Sequence, residues 1–502
     1  MWERILTKAT LSDIIMNYAL FDYGETKTKK KVPHILRNAK KLIFPRFHQL
    51  DVVDKLIADV EEKGVGKRYL IEHSAGSGKS NSLTWLAFKL IKACALSEST
   101  VRSRGLGQQL FNTVIVVTDR RILDKQITDN IKAFGQSEKT IAHADSSNEL
   151  KTAIEGGKRI VITTIQKFPF ICGTIADVSD HNFAIIIDEA HSSQSGIAAD
   201  KMNTTVQRDP DQEGSDTDEL IAKLIRDRKM SSNCSYFAFT GTPKRETLER
   251  FGWQDQEGKF HPFHLYSMKQ AIEEGFILDV LVNYTTYKSY YELIKSIEDN
   301  PQYDEKKAQK LLRRTVERHP DTIAVKADTM LQHFDSKVFR QRKLKGKAKA
   351  MVVTKDIECA IHYYKALTDL VVKLKLPYKV LIAFSGEKEV NGVTYTEAGL
   401  NGFAETETAE RFESDENRIL VVANKYLTGF DQPKLCAMYI DKPLAGVLAV
   451  QALSRLNRAA PDLSKRSEDL FILDFYNKKD DMEESFSPFY TCLLYTSPSP
   501  RD

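Results

Sequence analysis

A chain of 502 residues, 42 % of them hydrophobic, is long enough to bury large cores and should divide into roughly two to four domains. Its net charge of +4 is too small to announce a nucleic-acid binder, so any such role must come from local patches. The cysteines (Cys94, Cys172, Cys234, Cys359, Cys436, Cys492) are scattered without a C-x-x-C or Cys/His cluster, and no apolar run approaches the ~20 residues that span a bilayer. A disulfide framework, a zinc site and a membrane-spanning helix are therefore not indicated, and a reduced, cytoplasmic protein is expected.

Met1 to Glu25 holds apolar residues at helical spacing, so residues 1–34 read as a helical linker segment. Lys27 to Lys31 is a short basic link, either a solvated connector or a binding site. Phe44-Pro-Arg-Phe-His-Gln-Leu-Asp51 leads into a helix ending near Gly64 and Gly66. Next comes the short apolar run Tyr69-Leu-Ile71 and then Glu72-His-Ser-Ala-Gly-Ser-Gly-Lys-Ser80. Gly76 and Gly78 allow a tight turn that brings successive N–H groups against a polyphosphate, with Ser74 and Ser77 in the same loop. Lys79 would reach the β- and γ-phosphates, and the Ser80 hydroxyl would sit on Mg²⁺. Asn81–Lys92 continues at helical spacing, so the loop opens a helix whose amino end favours anions. The first glycine of the usual G-x-x-x-x-G-K-[ST] pattern is His73 in this chain.

From there short β-branched runs (Thr113–Thr118, Arg159–Thr164, Ala184–Asp188, Tyr236–Thr240) alternate with helical stretches, which predicts a parallel sheet covered on both faces within residues 35–250. Ser192 to Asn233 turns polar and reads as a mobile loop. A second series follows over residues 251–485, with strands at Val280–Thr286, Ala350–Thr354, Val380–Phe384, Arg418–Ala423, Leu435–Ile440 and Leu470–Phe475. The expected architecture is α/β, two tandem nucleotide-binding-like parallel-sheet domains. The second contains a charged helical insert over residues 289–349 that ends in the basic run Lys337–Lys349, either a flexible solvated link or a phosphate-backbone contact. Residues 486–502 end in a stretch that resembles translated sequencing-adapter read-through and are expected to be foreign and disordered.

Ile185-Ile-Ile-Asp-Glu-Ala-His191 places two carboxylates and a histidine at the exposed carboxyl end of a buried strand, the edge where chemistry gathers in parallel sheets. Asp188 would hold the Mg²⁺ hydration shell, contacting the metal through water, and Glu189 would polarise the water that attacks a γ-phosphate. His191 either couples to the next motif or simply packs. That next motif is Ala238-Phe-Thr-Gly-Thr-Pro-Lys244, where Thr240 and Thr242 offer hydroxyls to the Asp188–His191 turn while Gly241 and Pro243 fix the bend. In the second domain, Gln451, Arg455 and Arg458 stand at i, i+4 and i+7 on an expected helix and share one face. Two guanidiniums aimed at a γ-phosphate would stabilise transition-state charge. Upstream, Thr428, Gly429 and Asp431 form a polar turn beside the same cleft.

Taken in order and spacing, these blocks resemble the motor region of superfamily-2 helicases, whose domains are RecA-like. The wording H-S-A-G-S-G-K-S, I-D-E-A-H-S-S-Q-S-G, F-T-G-T-P, L-T-G-F-D-Q-P-K-L and Q-A-L-S-R-L-N-R is most similar to the restriction (R) subunit of type I restriction–modification enzymes. The resemblance covers about residues 1 to 485. It adds Val117–Gln126, with Thr118, Arg120 and Arg121, and Thr163–Phe168, with Thr164 and Gln166, as segments that line the DNA groove. It also makes Arg46–Gln49 an adenine-reading element with Gln49 on the base. What it implies is an ATP- and Mg²⁺-dependent pump for double-stranded DNA working with modification (methyltransferase) and specificity subunits. The family's nuclease domain uses an Asp plus Glu-x-Lys set that lies amino-terminal to the motor. Fewer than eighty residues precede the phosphate loop here, and Glu61–Lys63 and Glu305–Lys307 lie in the wrong places, so a motor fragment without the nuclease is expected. Two other readings stay open, a stand-alone DNA or RNA helicase or remodeller and a non-catalytic nucleotide-binding DNA scaffold.

Overall fold

The computed structural model describes residues 2–22, 41–96, 107–118, 140–144, 146–164, 181–188, 233–287, 320–427 and 429–490. The chain divides into two compact units, one running to Ser267 and the other from Met268 to Cys492.

In the first unit, helix α1 (Lys8–Asp13), α2 (Phe47–Lys63) and α3 (Lys79–Leu90) accompany strands β1 (Arg68–His73), β2 (Thr113–Thr118), β3 (Ile141–His143), β4 (Ile160–Thr164), β5 (Phe183–Ile187), β6 (Cys234–Thr240) and β7 (His264–Tyr266). The strands pair in the order β7-β1-β6-β5-β2-β4-β3, every pair parallel. Side chains alternate between two cores. Ile71, Val114, Val116, Ala184, Ile186, Phe237 and Phe239 join the cluster on one face, while Leu70, Ile115, Val117, Ile185, Ile187 and Ala238 join the cluster on the other. Both faces are apolar because both are covered, which is why these strands read as unbroken hydrophobic runs.

The amino-terminal helices are part of this core. Ile14 and Tyr18 are fully buried in it, the Trp85 Nε1 donates to the Tyr18 carbonyl at 3.0 Å, and the Tyr18 hydroxyl donates to Asp54 at 2.8 Å. Lys89 bridges Asp13 at 2.6 Å and Asp54 at 3.2 Å. Within residues 1–34 the described helices are Trp2–Ile5, Lys8–Asp13 and Ile14–Tyr18, and it is the last of these that is buried in the core. The first unit also extends past the 250/251 boundary expected from the sequence, because β7 is the edge strand beside β1.

The second unit contains β8 (Tyr284–Thr286), α4 (Pro320–His333), β9 (Lys349–Thr354), α5 (Ile357–Lys373), β10 (Lys379–Ala383), β11 (Asn417–Val422), β12 (Leu435–Asp441), α6 (Gly446–Leu453), β13 (Phe471–Asp474) and α7 (Lys479–Tyr490). Its sheet runs β8-β13-β12-β9-β11-β10, again all parallel. β8 is shorter than the Val280–Thr286 strand expected, because Asp279 accepts from the Leu281 N–H at 3.0 Å and the Leu281 carbonyl accepts from Tyr284, closing a turn.

The basic run before β9 is not a free link. Arg340 pairs with Asp335 at 2.6 Å, Lys343 with Asp469 at 2.8 Å, and Lys345 donates to the Asp462 carbonyl at 2.6 Å. Lys349 starts β9 fully buried, donates to the Ser414 and Asn417 carbonyls at 2.7 and 2.6 Å, and lies over the Phe412 ring. Burial, with Lys434 and Arg418 nearby, pushes its ammonium down to about 7.

Candidate active site

Because the first sheet is parallel, the carboxyl ends of β1, β6 and β5 lie side by side at one edge, and each carries one of the blocks singled out from the sequence. β1 runs into the loop 74–78, in which Gly76 (φ +90°) and Gly78 (φ +82°) take the left-handed backbone that side chains disfavour. Gly78 caps α3, so Lys79 and Ser80 open its first turn at the helix's amino end, and the Asn81 N–H donates to the Gly78 carbonyl at 3.1 Å. The Lys79 ammonium is buried and sits 3.3 Å from the His73 carbonyl. The turn after β6 approaches to van der Waals distance. A Cβ on Gly241 would stand 3.2 Å from the Ala75 nitrogen, the His73 oxygen and the Lys79 Nζ, so glycine is favoured here by close contact rather than by conformation. Asp188, 5 % exposed, follows β5 and is fixed by its N–H on the Val117 carbonyl at 3.0 Å. Thr118 ends β2 and Thr164 ends β4 at the same edge, both buried, the Thr118 hydroxyl 3.5 Å from the Thr163 carbonyl.

Three hydroxyls around the loop are buried and have no hydrogen-bond partner among the described residues: Ser74, Ser77 and Thr242. Leaving such a group unsatisfied costs about 1–3 kcal/mol. Three together beside one lysine, one carboxylate and a glycine-built anion cradle fit a magnesium–nucleoside polyphosphate, whose oxygens are the acceptors the site lacks. The Thr240 hydroxyl accepts from the Thr242 N–H at 3.2 Å and so helps to shape the turn after β6.

Gln49, at the start of α2, reaches the loop from below. Its Nε2 donates to the Gly78 carbonyl at 2.9 Å, and its Oε1 accepts from the Arg46 N–H at 2.9 Å. His48 is hydrogen-bonded to the Ser77 carbonyl at 3.0 Å and stacks on Tyr266 with ring centres 3.7 Å apart. The Tyr266 carbonyl accepts from the Ser74 N–H at 3.0 Å. The floor of the loop is thus built by α2 and β7, and only the α2 part had a sequence signal, in the Arg46–Gln49 block.

Glu72, just before the loop, is 9 % exposed and burial pushes its carboxyl up to about 7. A folded-state value above the unfolded one near 4.5 means stability present at low pH and lost as pH rises through about 7. The loss amounts to about 3 kcal/mol. Glu72→Gln should therefore raise the melting temperature by several degrees at pH 8.5, with an advantage that shrinks toward pH 5. A melting difference that stays flat across that range would rule out the buried carboxyl.

In the second unit, α6 stops at Leu453, so the expected single helical face is not formed. The chain instead leaves Arg458 in an isolated bridge with Ile277, and Asn457 accepts from the Leu278 N–H at 2.8 Å. Both arginines nonetheless meet the turn after β11. Arg455 donates to the Phe430 carbonyl at 3.0 Å and to the Gln451 carbonyl at 3.2 Å, and Arg458 pairs with Asp431 at 3.1 Å. In that turn Tyr426 (φ +70°) and Gly429 (φ +69°) are left-handed. Buried Glu397 anchors it by accepting from Lys425 at 3.0 Å and the Phe384 N–H at 2.7 Å. Lys465, unremarked in the sequence, holds the Leu456 and Arg458 carbonyls at 2.9 Å each. Glu189, His191, Arg120, Arg121, Gln166 and Thr428 lie outside the described residues, as do the polar segment after Ser192, the link at Lys27 to Lys31 and the chain after 490.

The SWI2/SNF2 ATPase family profile matches residues 48–311, more than half of the chain. The chain belongs to the SWI2/SNF2 ATPase family. A second profile, type I restriction enzyme subunit R domain 3, matches residues 392–470 of this ATPase. Among curated proteins it is similar to the type I restriction enzyme HindI endonuclease subunit of Haemophilus influenzae, 26 % identical over 494 residues, covering 92 % of this chain and 41 % of the relative. The SsaAORF53P endonuclease subunit of Staphylococcus saprophyticus is 25 % identical over 496 residues, covering 89 % of this chain and 46 % of that one. The SWI2/SNF2 chain thus spans less than half the length of these relatives. In fold it resembles a fragment assigned as the HsdR subunit of a type I restriction enzyme from Vibrio vulnificus (TM-score 0.54, 18 % identity, 89 % of this chain and 66 % of that one). It also resembles the ATP-dependent type ISP restriction–modification enzyme LlaBIII bound to DNA (TM-score 0.54, 15 % identity, 90 % and 31 %). Both sheets therefore have the parallel α/β, RecA-like fold expected from the sequence.

Proposed function

We propose that this chain is the ATP-driven motor of a type I restriction subunit, hydrolysing ATP to pump double-stranded DNA before endonucleolytic cleavage. The observation that carries the reading is the meeting of the Lys79 loop, the Asp188 strand end and the Gly241 turn at one sheet edge, in a chain whose residues 392–470 match an R-subunit domain. Lys79 grips the polyphosphate, and Ser74, Gly76, Ser77 and Gly78 present the loop to it. Ser80 and, through water, Asp188 would hold Mg²⁺, which when bound neutralises charge on the β- and γ-phosphates. Glu189 orients and deprotonates the attacking water. Gln49 and Arg46 take the base side, while Gln451, Gly429, Asp431, Arg455 and Arg458 form the second unit's contribution, the two guanidiniums stabilising transition-state charge. Thr118, Arg120, Arg121, Thr164, Gln166, His191, Thr240, Thr242 and Thr428 couple the nucleotide to DNA. The domains run over residues 35–250 and 251–485 in this reading, the first extended in practice by β7. The partners are duplex DNA and the modification and specificity subunits of the same system, and the location is cytoplasmic; no described helix is long and apolar enough to cross a membrane.

Duplex DNA should stimulate ATP turnover, and the apparent affinity for DNA should fall steeply, by roughly 10³-fold or more, between 50 and 200 mM salt if six or more phosphates are contacted. Stimulation that is absent, or insensitive to salt across that range, would overturn the DNA-motor reading.

A further inference from the structure

The usual glycine at the start of the phosphate loop is an imidazole here, and that substitution has a structural consequence. His73 is completely buried at the carboxyl end of β1. Its Nε2 lies 2.8 Å from Nδ1 of His264 on β7, and the other ring nitrogen of His264 lies 3.0 Å from Asp51 on α2. Asp51 is also gripped by Arg4 at 2.6 Å and Lys55 at 2.7 Å. Burial opposes ionisation of Asp51, but the hydrogen bonds from His264, Lys55 and Arg4 outweigh it and hold the carboxyl below the ordinary range. Asp51 is thus a carboxylate, and a carboxylate only accepts.

With both rings neutral, that single fact orders the whole line. His264 must donate from Nε2 to Asp51, which leaves its Nδ1 a bare acceptor. His73 must then donate from Nε2 to that acceptor, and its own Nδ1 carries the lone pair. The buried Nδ1 of His73 indeed has no partner among the described residues. Burial, then the cations and rings around it, keeps His73 well below the ordinary imidazole range, consistent with a neutral ring. The carbonyl of this same residue receives the Lys79 ammonium.

We propose that Asp51 and His264 are positioning residues of the ATP site: the carboxylate sets the tautomer of His264, His264 fixes the His73 ring and hence the peptide that opens the phosphate loop, and the loop is held ready for the polyphosphate with Lys79 parked on the His73 carbonyl. The proposal rests on the reading of this loop as the ATP site. It assigns a role to a histidine of β7 that no sequence motif marks.

The two amide replacements of His264 cut the line at different places. An asparagine oxygen superposes on Nδ1 and can still accept from His73, whereas a glutamine nitrogen superposes on Nε2 and can still donate only to Asp51. In the full chain at pH 8, His264→Gln should weaken binding of a non-hydrolysable ATP analogue by ~10-fold, with the KM for ATP rising likewise and kcat changing by less than ~3-fold, because the loop holds ground and transition states alike. His264→Asn should stay within ~3-fold of the parent in affinity although its melting temperature falls comparably, since each variant loses one buried hydrogen bond. In a His73→Gly background, where no ring remains to be held, His264→Gln should no longer alter affinity. Equal losses for the Asn and Gln variants, no loss for either, or an undiminished effect of His264→Gln in the His73→Gly background would overturn the positioning role while leaving the ATP site intact. A parent chain that fails to bind the analogue, or a Lys79→Ala chain that binds as well as the parent, would instead remove the ATP-site reading and this proposal with it.

Discussion

Replacing Lys79 by alanine is expected to lower ATP turnover by at least ~10²-fold, the scale on which a single preorganised charge at a reacting phosphate is felt. The expectation follows from what the ammonium has around it. It is buried, lies 3.3 Å from the His73 carbonyl, and stands where a Cβ on Gly241 would come within 3.2 Å, so the turn after β6 packs directly against it. The fold should survive. Alanine is a good helix former at the first position of α3, and the loop keeps its hydrogen bonds from Gln49 and His48. Steady-state ATPase assays alongside a melting curve test this directly. Undiminished hydrolysis in a chain that melts normally would mean that the polyphosphate is bound elsewhere.

A second large effect is expected from Glu189→Gln, which keeps shape and removes the base. Nucleotide affinity should be retained while turnover drops by about 10²–10⁴-fold, the usual contribution of a positioned general base. Its neighbour Asp188 is buried and held by a backbone hydrogen bond to β2, which fixes it at the sheet edge where a metal's hydration shell would lie. The division of labour between the adjacent carboxylates therefore predicts opposite phenotypes: Asp188→Asn should weaken metal-dependent binding, and Glu189→Gln should spare it. Binding of a fluorescent nucleotide with and without Mg²⁺, measured on both variants, distinguishes them. A Glu189→Gln chain that turns over normally would assign the base to another residue.

Much of this was legible in the sequence because parallel strands buried on both faces write themselves as continuous β-branched runs, and because glycine, lysine and paired carboxylates at strand ends have few other uses. The five internal strands of the first sheet and most of the second stand within a residue or two of where the runs place them. Two kinds of feature were hidden. Edge strand β7 is three residues long and half polar, so periodicity carries no signal for it, yet it supplies His264 and Tyr266 to the floor of the loop. Tertiary pairing was the other. The spacing of Gln451, Arg455 and Arg458 suggested one helix, but α6 ends at Leu453 and Arg458 stands beyond it in a bridge with Ile277. Likewise Lys337–Lys349 read as a flexible solvated link or a phosphate-backbone contact, whereas Arg340, Lys343, Lys345 and Lys349 bond to Asp335, Asp469 and the carbonyls of Asp462, Ser414 and Asn417.

The clasp between the first eighteen residues and the two helices beneath them has a mechanical side. Arg4 and Tyr18 hold α2 through Asp51 and Asp54, while Lys89 and Trp85 hold α3 from its far end. A tug on the amino-terminal helices therefore reaches the phosphate loop by two routes, along the length of α3 from Lys89 to Lys79 and through the first turns of α2, where Asp51 and Asp54 stand close to Gln49. Anything tethered there, a neighbouring subunit or a bead in a force experiment, would press on the nucleotide pocket before it strained the sheet.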